Sequence, residues 1–342
     1  QNSEQEPAPS LVNTNSALIF IKPHANTEAT RNLVKTQLLN LQSTTGLTIV
    51  SECDISGKDI DEKKLIDKHY YAIASKATML SPVDMPVPTD RFVQEFGERW
   101  KDVLAASRAC NSMEACKRFR CTPDELNRAW VQAEKVVKFG GGFYCGLVTM
   151  PKSGQTLYVF NGFFMSMRAK FVDPCVSIHC YEVEWSANTS SAGFPLKWSD
   201  FRSKVIGSTD PADAPAGSIR KAILEQWEAL GLKNKPDKGD NGVHASASPL
   251  EGLAEKCNWL ERDIANDAFG HALLDRGIHQ KIIEEWVLDP RVQLLGDDGS
   301  TEQGSLFDAV EDMDVKECLD KLDEVDKLNF SGSNNLYSSL CV

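Results

Sequence analysis

The stretch Asn241-Gly242-Val243-His244-Ala245-Ser246-Ala247-Ser248-Pro249-Leu250-Glu251 runs from a short apolar approach into the start of a helix. Ser248 stands at the N-cap, Pro249 at the first helical position and Glu251 three residues past the cap, the pattern of a reciprocal capping box. An imidazole one turn ahead of such a start meets positive dipole and backbone donors. It can therefore be aimed, kept neutral and set beside an anion. His244 is the first candidate for chemistry.

Upstream, Gly207-Ser208-Thr209-Asp210-Pro211-Ala212-Asp213-Ala214-Pro215-Ala216-Gly217 is too rich in turn residues for regular structure. It feeds Ser218-Ile219-Arg220-Lys221-Ala222-Ile223-Leu224, a capped helix with Arg220 in its first turn. A rigid loop entering a helix beside an arginine suits a phosphate chain. Further back, Ala17-Leu18-Ile19-Phe20-Ile21 is a continuous β-rich run, the mark of a central strand covered on both faces, and Lys22-Pro23 ends it. A helix is expected from Thr27 to Leu41, a second strand from Leu47 to Ile55, and an amphipathic helix from Asp59 to Ile73 carrying Tyr70 and Tyr71.

Pro82, Pro86 and Pro88 then break the chain, and Arg91 to Lys138 reads as helical, with one helix opened by Thr122-Pro123-Asp124-Glu125. Phe143–Val148 and Thr156–Phe160 suggest a hairpin around Lys152-Ser153-Gly154. Cys175 to Trp185 reads as a strand and Trp198 to Ile206 as a short helix. Helices are expected to continue through Trp286. The acidic stretch Phe307 to Leu328 has Val315, Leu319, Leu322 and Val325 at helical spacing, as in a docked or solvated helix.

A chain of 342 residues can bury a full core as one large domain or two ordinary ones. Its 37 basic and 49 acidic residues give a net charge of -12, which argues against a broad nucleic-acid or anionic-lipid surface. The 10 cysteines form no disulfide framework and read as reduced thiols. Cys110, Cys116 and Cys121 fit no zinc knuckle and have no histidine nearby, so no metal-ligating cysteines are expected. The apolar runs are too short to span a bilayer, and residues 1–16, polar and proline-bearing, read as a disordered arm rather than a secretory signal. A cytoplasmic location is expected, or an organelle after removal of a leader.

The strand ending in Lys22-Pro23, the Gly-x-Thr-x-Pro and Gly-Ser-Ile-Arg elements around Gly207 to Arg220, and the Asn-x-x-His-x-Ser of Asn241 to Ser246 occur in the order seen in nucleoside diphosphate kinases. The chain resembles that family over about half its length. The resemblance implies an α+β fold, a ferredoxin-like βαββαβ core with an antiparallel sheet. It assigns residues 17–78 and 159–260 to that domain, leaving 79–158 as a mainly helical insertion with a hairpin and 261–342 as a C-terminal helical extension with an acidic tail.

It further implies a nucleoside triphosphate:diphosphate phosphotransferase working by a ping-pong route, with a phosphohistidine at His244. Glu255 would stand against the other ring nitrogen. Nucleotide-binding roles fall to Lys22, Tyr70, Thr209, Arg220, Asn241 and Ser246, and base stacking to Phe163 or Phe164. Arg202 or Lys204 would be the second clamp cation, with Mg2+ arriving on the nucleotide. Ala245, Ala247 and His24 depart from the family pattern, which has a glycine, an acid and an aspartate there. A catalytically inactive structural or nucleotide-sensing component is the alternative implied. The added segments are expected to alter the family's hexameric or tetrameric assembly and to offer surfaces for self-association or a protein partner.

Overall fold

The computed structural model describes residues 13–187, 195–296 and 299–330. Ten strands lie among the described residues: β1 (Thr14–Ile21), β2 (Thr48–Ser56), β3 (Ala109–Asn111), β4 (Lys135–Gly140), β5 (Phe143–Thr149), β6 (Thr156–Phe160), β7 (Ser177–Ser186), β8 (Val243–Ala245), β9 (Arg291–Leu295) and β10 (Thr301–Ser305). The chain divides into two compact units, residues 1–55 with 177–342, and residues 56–176. The architecture is mixed, with helices packed on sheets that are largely antiparallel.

In the first unit four strands lie in the order β2-β7-β1-β8. β1 is central and pairs antiparallel with both β7 and β8, and its residues from Asn15 to Ile21 are buried. One face of this sheet carries Ala17, Ile19, Ile21, Tyr181 and Val183 against Val34 and Leu38 of the helix Glu28–Thr45 and Ile219 and Ile223 of the helix Ile219–Glu225. The opposite face receives the helix Pro249–Trp259. Its approach is close: a Cβ on Gly252 would lie 2.5 Å from the Ser16 carbonyl oxygen. Lys256, buried on that helix, ion-pairs with buried Asp267 at 2.5 Å and donates to Ser16 Oγ at 2.9 Å.

The C-terminal region is docked. Leu250 and Leu253 share one apolar cluster with Phe269, Leu273, Ile283 and Trp286 and with Val315, Leu319, Leu322 and Val325 of the helix Val315–Asn329. β9 and β10 form a separate antiparallel pair, so residues 261–342 are not purely helical as expected. The expected disordered arm does not extend to residue 16. Thr14 to Ser16 already pair with β7, and the Asn15 amide donates to Asp314 while its Oδ1 accepts from the Val315 N–H. Residues 1–12 lie outside the described ones.

The second unit holds a sheet of order β3-β6-β5-β4, parallel only between β3 and β6. Phe143, Cys145, Tyr158 and Phe160 face Phe92, Trp100 and Val103 on one side. Val148, Leu157 and Val159 face Ala115, Phe119, Leu126 and Trp130 on the other. Residues 79–158, expected as a mainly helical insertion with a hairpin, hold more helix than strand, and β5 and β6 pair as a hairpin at the centre of the sheet between the two helical layers. The limits of the unit are wider than 79–158 because Arg168, on the helix Phe164–Val172, is buried in ion pairs with Asp67 at 2.9 Å and Asp61 at 2.6 Å, drawing the helices Gly57–Glu62 and Leu65–His69 into this unit. The unit closes on itself where the Gly57 N–H donates to the Val176 carbonyl at 2.8 Å.

Candidate active site

Local chemistry sets up the His244 loop. Three ladder residues join β8 to β1, with His244 opposite Phe20, and the two rings stack at 4.7 Å with 24° between their planes. Gly242 precedes them with a φ of +89°, and its N–H donates to His24 Nε2 at 3.1 Å while its carbonyl accepts from the Lys22 N–H at 2.9 Å. His24 thus fixes the loop that carries His244. After the strand, Ser248 caps the helix by accepting from the Glu251 N–H at 3.2 Å. The expected reciprocal bond is displaced by one residue, because Glu251 Oε2 accepts from the Ala247 N–H instead.

His244 Nε2 lies 2.5 Å from Glu255 Oε1, and Ser246 Oγ donates to Glu255 Oε2 at 2.6 Å. With an ionised carboxylate on Nε2, that nitrogen carries the ring proton and the lone pair of the neutral imidazole is on Nδ1. Only 17% of the His244 side chain is exposed and 3% of Glu255. Burial first, then the charges of Lys22, Arg220 and Arg202, hold the imidazole well below its ordinary pKa. The ring is neutral at physiological pH.

The cations come from three segments of the first unit. Lys22 closes β1 and donates to the Gly239 carbonyl at 3.2 Å. Arg220 donates to the carbonyls of Gly207 at 2.8 Å and Val243 at 3.0 Å, tying the irregular loop to β8. Arg202 Nη1 is held by Glu311 Oε1 at 2.6 Å and Asp312 Oδ1 at 2.9 Å, and the Asp312 N–H donates to the Ala247 carbonyl at 2.9 Å. Lys204, the other candidate, is exposed and paired with Asp200. Asn241 is buried; its Nδ2 donates to the carbonyl of exposed Thr209 at 2.9 Å, and its Oδ1 has no hydrogen-bond partner among the described residues.

Of the residues expected at the site, Lys22, Arg202, Thr209, Arg220, Asn241, His244, Ser246 and Glu255 all belong to the first unit. Ser246 is fully buried, its hydroxyl shared between Glu255 and the Leu18 N–H, so it positions the glutamate rather than facing a ligand. Tyr70 and Phe163 belong to the second unit. There Tyr70 packs edge-on to His69, and Phe163 lies against Trp130 at 6.1 Å and Tyr144 at 5.9 Å, while Phe164 is fully buried. Two participants lay outside the sequence reading, Glu311 and Asp312, which lie more than 100 positions from the arginine they hold, while Glu251, expected only as a cap partner, anchors the loop at Ala247.

No protein-family model matches the chain, and no curated protein matches it in sequence. Among solved structures it is similar to a nucleoside diphosphate kinase from Encephalitozoon cuniculi, in its apo cubic form. The similarity has 14% identity and a TM-score of 0.32, covering 73% of this chain and 90% of that one. No helix among the described residues is long and apolar enough to cross a membrane.

Proposed function

We propose that the first unit is a nucleoside diphosphate kinase-like phosphotransferase in which His244 carries the phosphoryl group between nucleotides. The observation that carries this reading is a neutral imidazole gripped at Nε2 by a buried glutamate, with the charges of Lys22, Arg220 and Arg202 acting on it. The order β2-β7-β1-β8, with a helix following β1 and helices between β7 and β8, supports a ferredoxin-like core beneath it.

In the proposed reaction the Nδ1 lone pair attacks the terminal phosphorus, the bond to the bridging oxygen breaks, and a nucleoside diphosphate leaves. Glu255 stabilises the cationic ring through Nε2–H, and a second diphosphate reverses the step. Lys22, Arg220 and Arg202 offset the charge of the transferring group. Asn241 Oδ1, buried and unpartnered, would accept from a sugar hydroxyl. Magnesium supplies charge neutralisation on the phosphates it arrives with. The Ala247 side chain would offer it no ligand.

Incubation with γ-labelled ATP and magnesium is expected to give an acid-labile, alkali-stable phosphoprotein that passes its label to added nucleoside diphosphate. His244→Ala should lose the label entirely; an equally labelled variant overturns the assignment. One observation favours the second reading, a nucleotide-sensing component without turnover: Arg202 is already paired with two carboxylates of the same chain. Nucleotide binding in the parent chain with no phosphoprotein at any time point would decide for it.

A further inference from the structure

The edge strand β2 runs beside β7, and their side-chain contacts step along the pair one register at a time. Ser51 Oγ donates to Glu182 Oε2 at 2.9 Å and Asp54 Oδ1 stands 3.1 Å from His179 Nδ1, a register that sets Cys53 opposite Cys180. As residue numbers rise on β2 they fall on β7, so the strands are antiparallel and the two cysteines are direct cross-strand partners. Directly opposed residues have Cα atoms about 4.5–5.5 Å apart, inside the span a disulfide accepts. Cys53 is exposed and Cys180 is buried.

We propose that Cys53 and Cys180 form a peroxide-sensitive dithiol, a modification site in which Cys53 is attacked first and Cys180 resolves it. The Cys53 thiolate attacks one oxygen of a hydroperoxide. The O–O bond breaks, and the leaving oxygen takes a proton to give water or an alcohol, leaving a sulfenic acid. The Cys180 sulfur then attacks the Cys53 sulfur, the S–O bond breaks, the hydroxyl leaves as water with the Cys180 thiol proton, and the S–S bond forms. The peroxide is reduced and the two thiols are oxidised. The neighbouring Cys180 thiol holds the Cys53 thiol below its ordinary range, while burial and the Asp54 and Glu182 carboxylates oppose that shift.

The pair occupies one end of a cross-strand row. Cys180 is the register partner of Phe20, Phe20 of His244, and the Phe20 ring stacks on the imidazole. The site stands on its own geometry and does not depend on the phosphotransfer reading.

The test uses the full reduced chain, treated with stoichiometric hydrogen peroxide, blocked with N-ethylmaleimide, digested without reductant and read by mass spectrometry. The expected result is a linked peptide pair, lighter by two hydrogens than its reduced parts and separated by dithiothreitol, with the maleimide count down by two. Fragmentation assigns the bond, since Cys175 lies close to Cys180 in the sequence. Cys53→Ser should lose the linked pair, and Cys180→Ser should leave Cys53 as a sulfenic acid trapped by dimedone. Oxidation of exposed Cys175 with both thiols of the pair untouched would overturn the proposal. So would Cys53 passing to sulfinic acid with Cys180 still reduced.

Discussion

Glu251 and Glu255 stand four residues apart on one helix, and each carboxyl is tied to the His244 loop, Glu251 through the Ala247 N–H and Glu255 through the ring and Ser246. Burial, then the neighbouring Glu255 carboxylate, pushes the Glu251 carboxyl up to about 8 from an ordinary 4.5. A raised folded-state value means that Glu251 keeps its proton in the fold where the unfolded chain has lost it. Its contribution to stability is complete below 4.5 and disappears as pH climbs toward about 8. His244 runs the other way, because its lowered value makes the folded state lose stability as pH falls below 6.5. Glu251→Gln keeps an acceptor for Ala247, and its stability should fall less than the parent's between about pH 6 and 8, by on the order of 2 kcal/mol. Denaturant midpoints measured across that interval check this; parallel curves would mean that the carboxyl is ionised in the fold.

Among the elements, the helix Pro249–Trp259 does most to place the site, because it brings Glu251 and Glu255 up to the loop while its far side packs on the C-terminal cluster. Gly252→Ala would set a methyl group against the Ser16 backbone of β1, which cannot yield like a side-chain tip. The variant should lose about 1–3 kcal/mol of folding free energy in chemical denaturation, and if phosphotransfer occurs it should fall with it. β1 and this helix were legible in the sequence because an unbroken apolar run and a Ser-Pro cap are local signals. β3 and β8 were not, since three residues carry no period and their pairing is decided by distant ladder partners. The helix expected from Asp59 to Ile73 is broken at Lys64, whose φ of 58° no propensity scale foresees, and at Tyr70. At the site, order along the chain marked His244, Lys22 and Arg220. Nothing in spacing could tell that Glu311 and Asp312 return to Arg202.

At the scale of the molecule, that return means that the C-terminal region touches the site it follows. Arg202 is 30% exposed and its partners more so, hence each ion pair contributes about 0.2–1 kcal/mol. Glu311→Gln with Asp312→Asn frees the guanidinium and should tighten nucleotide binding by about two- to five-fold in calorimetry. An unchanged dissociation constant would place Arg202 outside the binding site.

The hydrogen bond from Gly57 to Val176 has its own implication. Entry and exit of the second unit are adjacent, and that unit owns a sheet with apolar clusters on both sides. Such a body is a cassette: it could be lifted out between Ile55 and Ser177 and the cut ends joined by a brief glycine-serine tether. Residues 56–176 expressed alone should melt cooperatively, and the shortened remainder should retain a β-rich circular dichroism spectrum. Failure of both pieces to fold would mean that the two bodies were never separable.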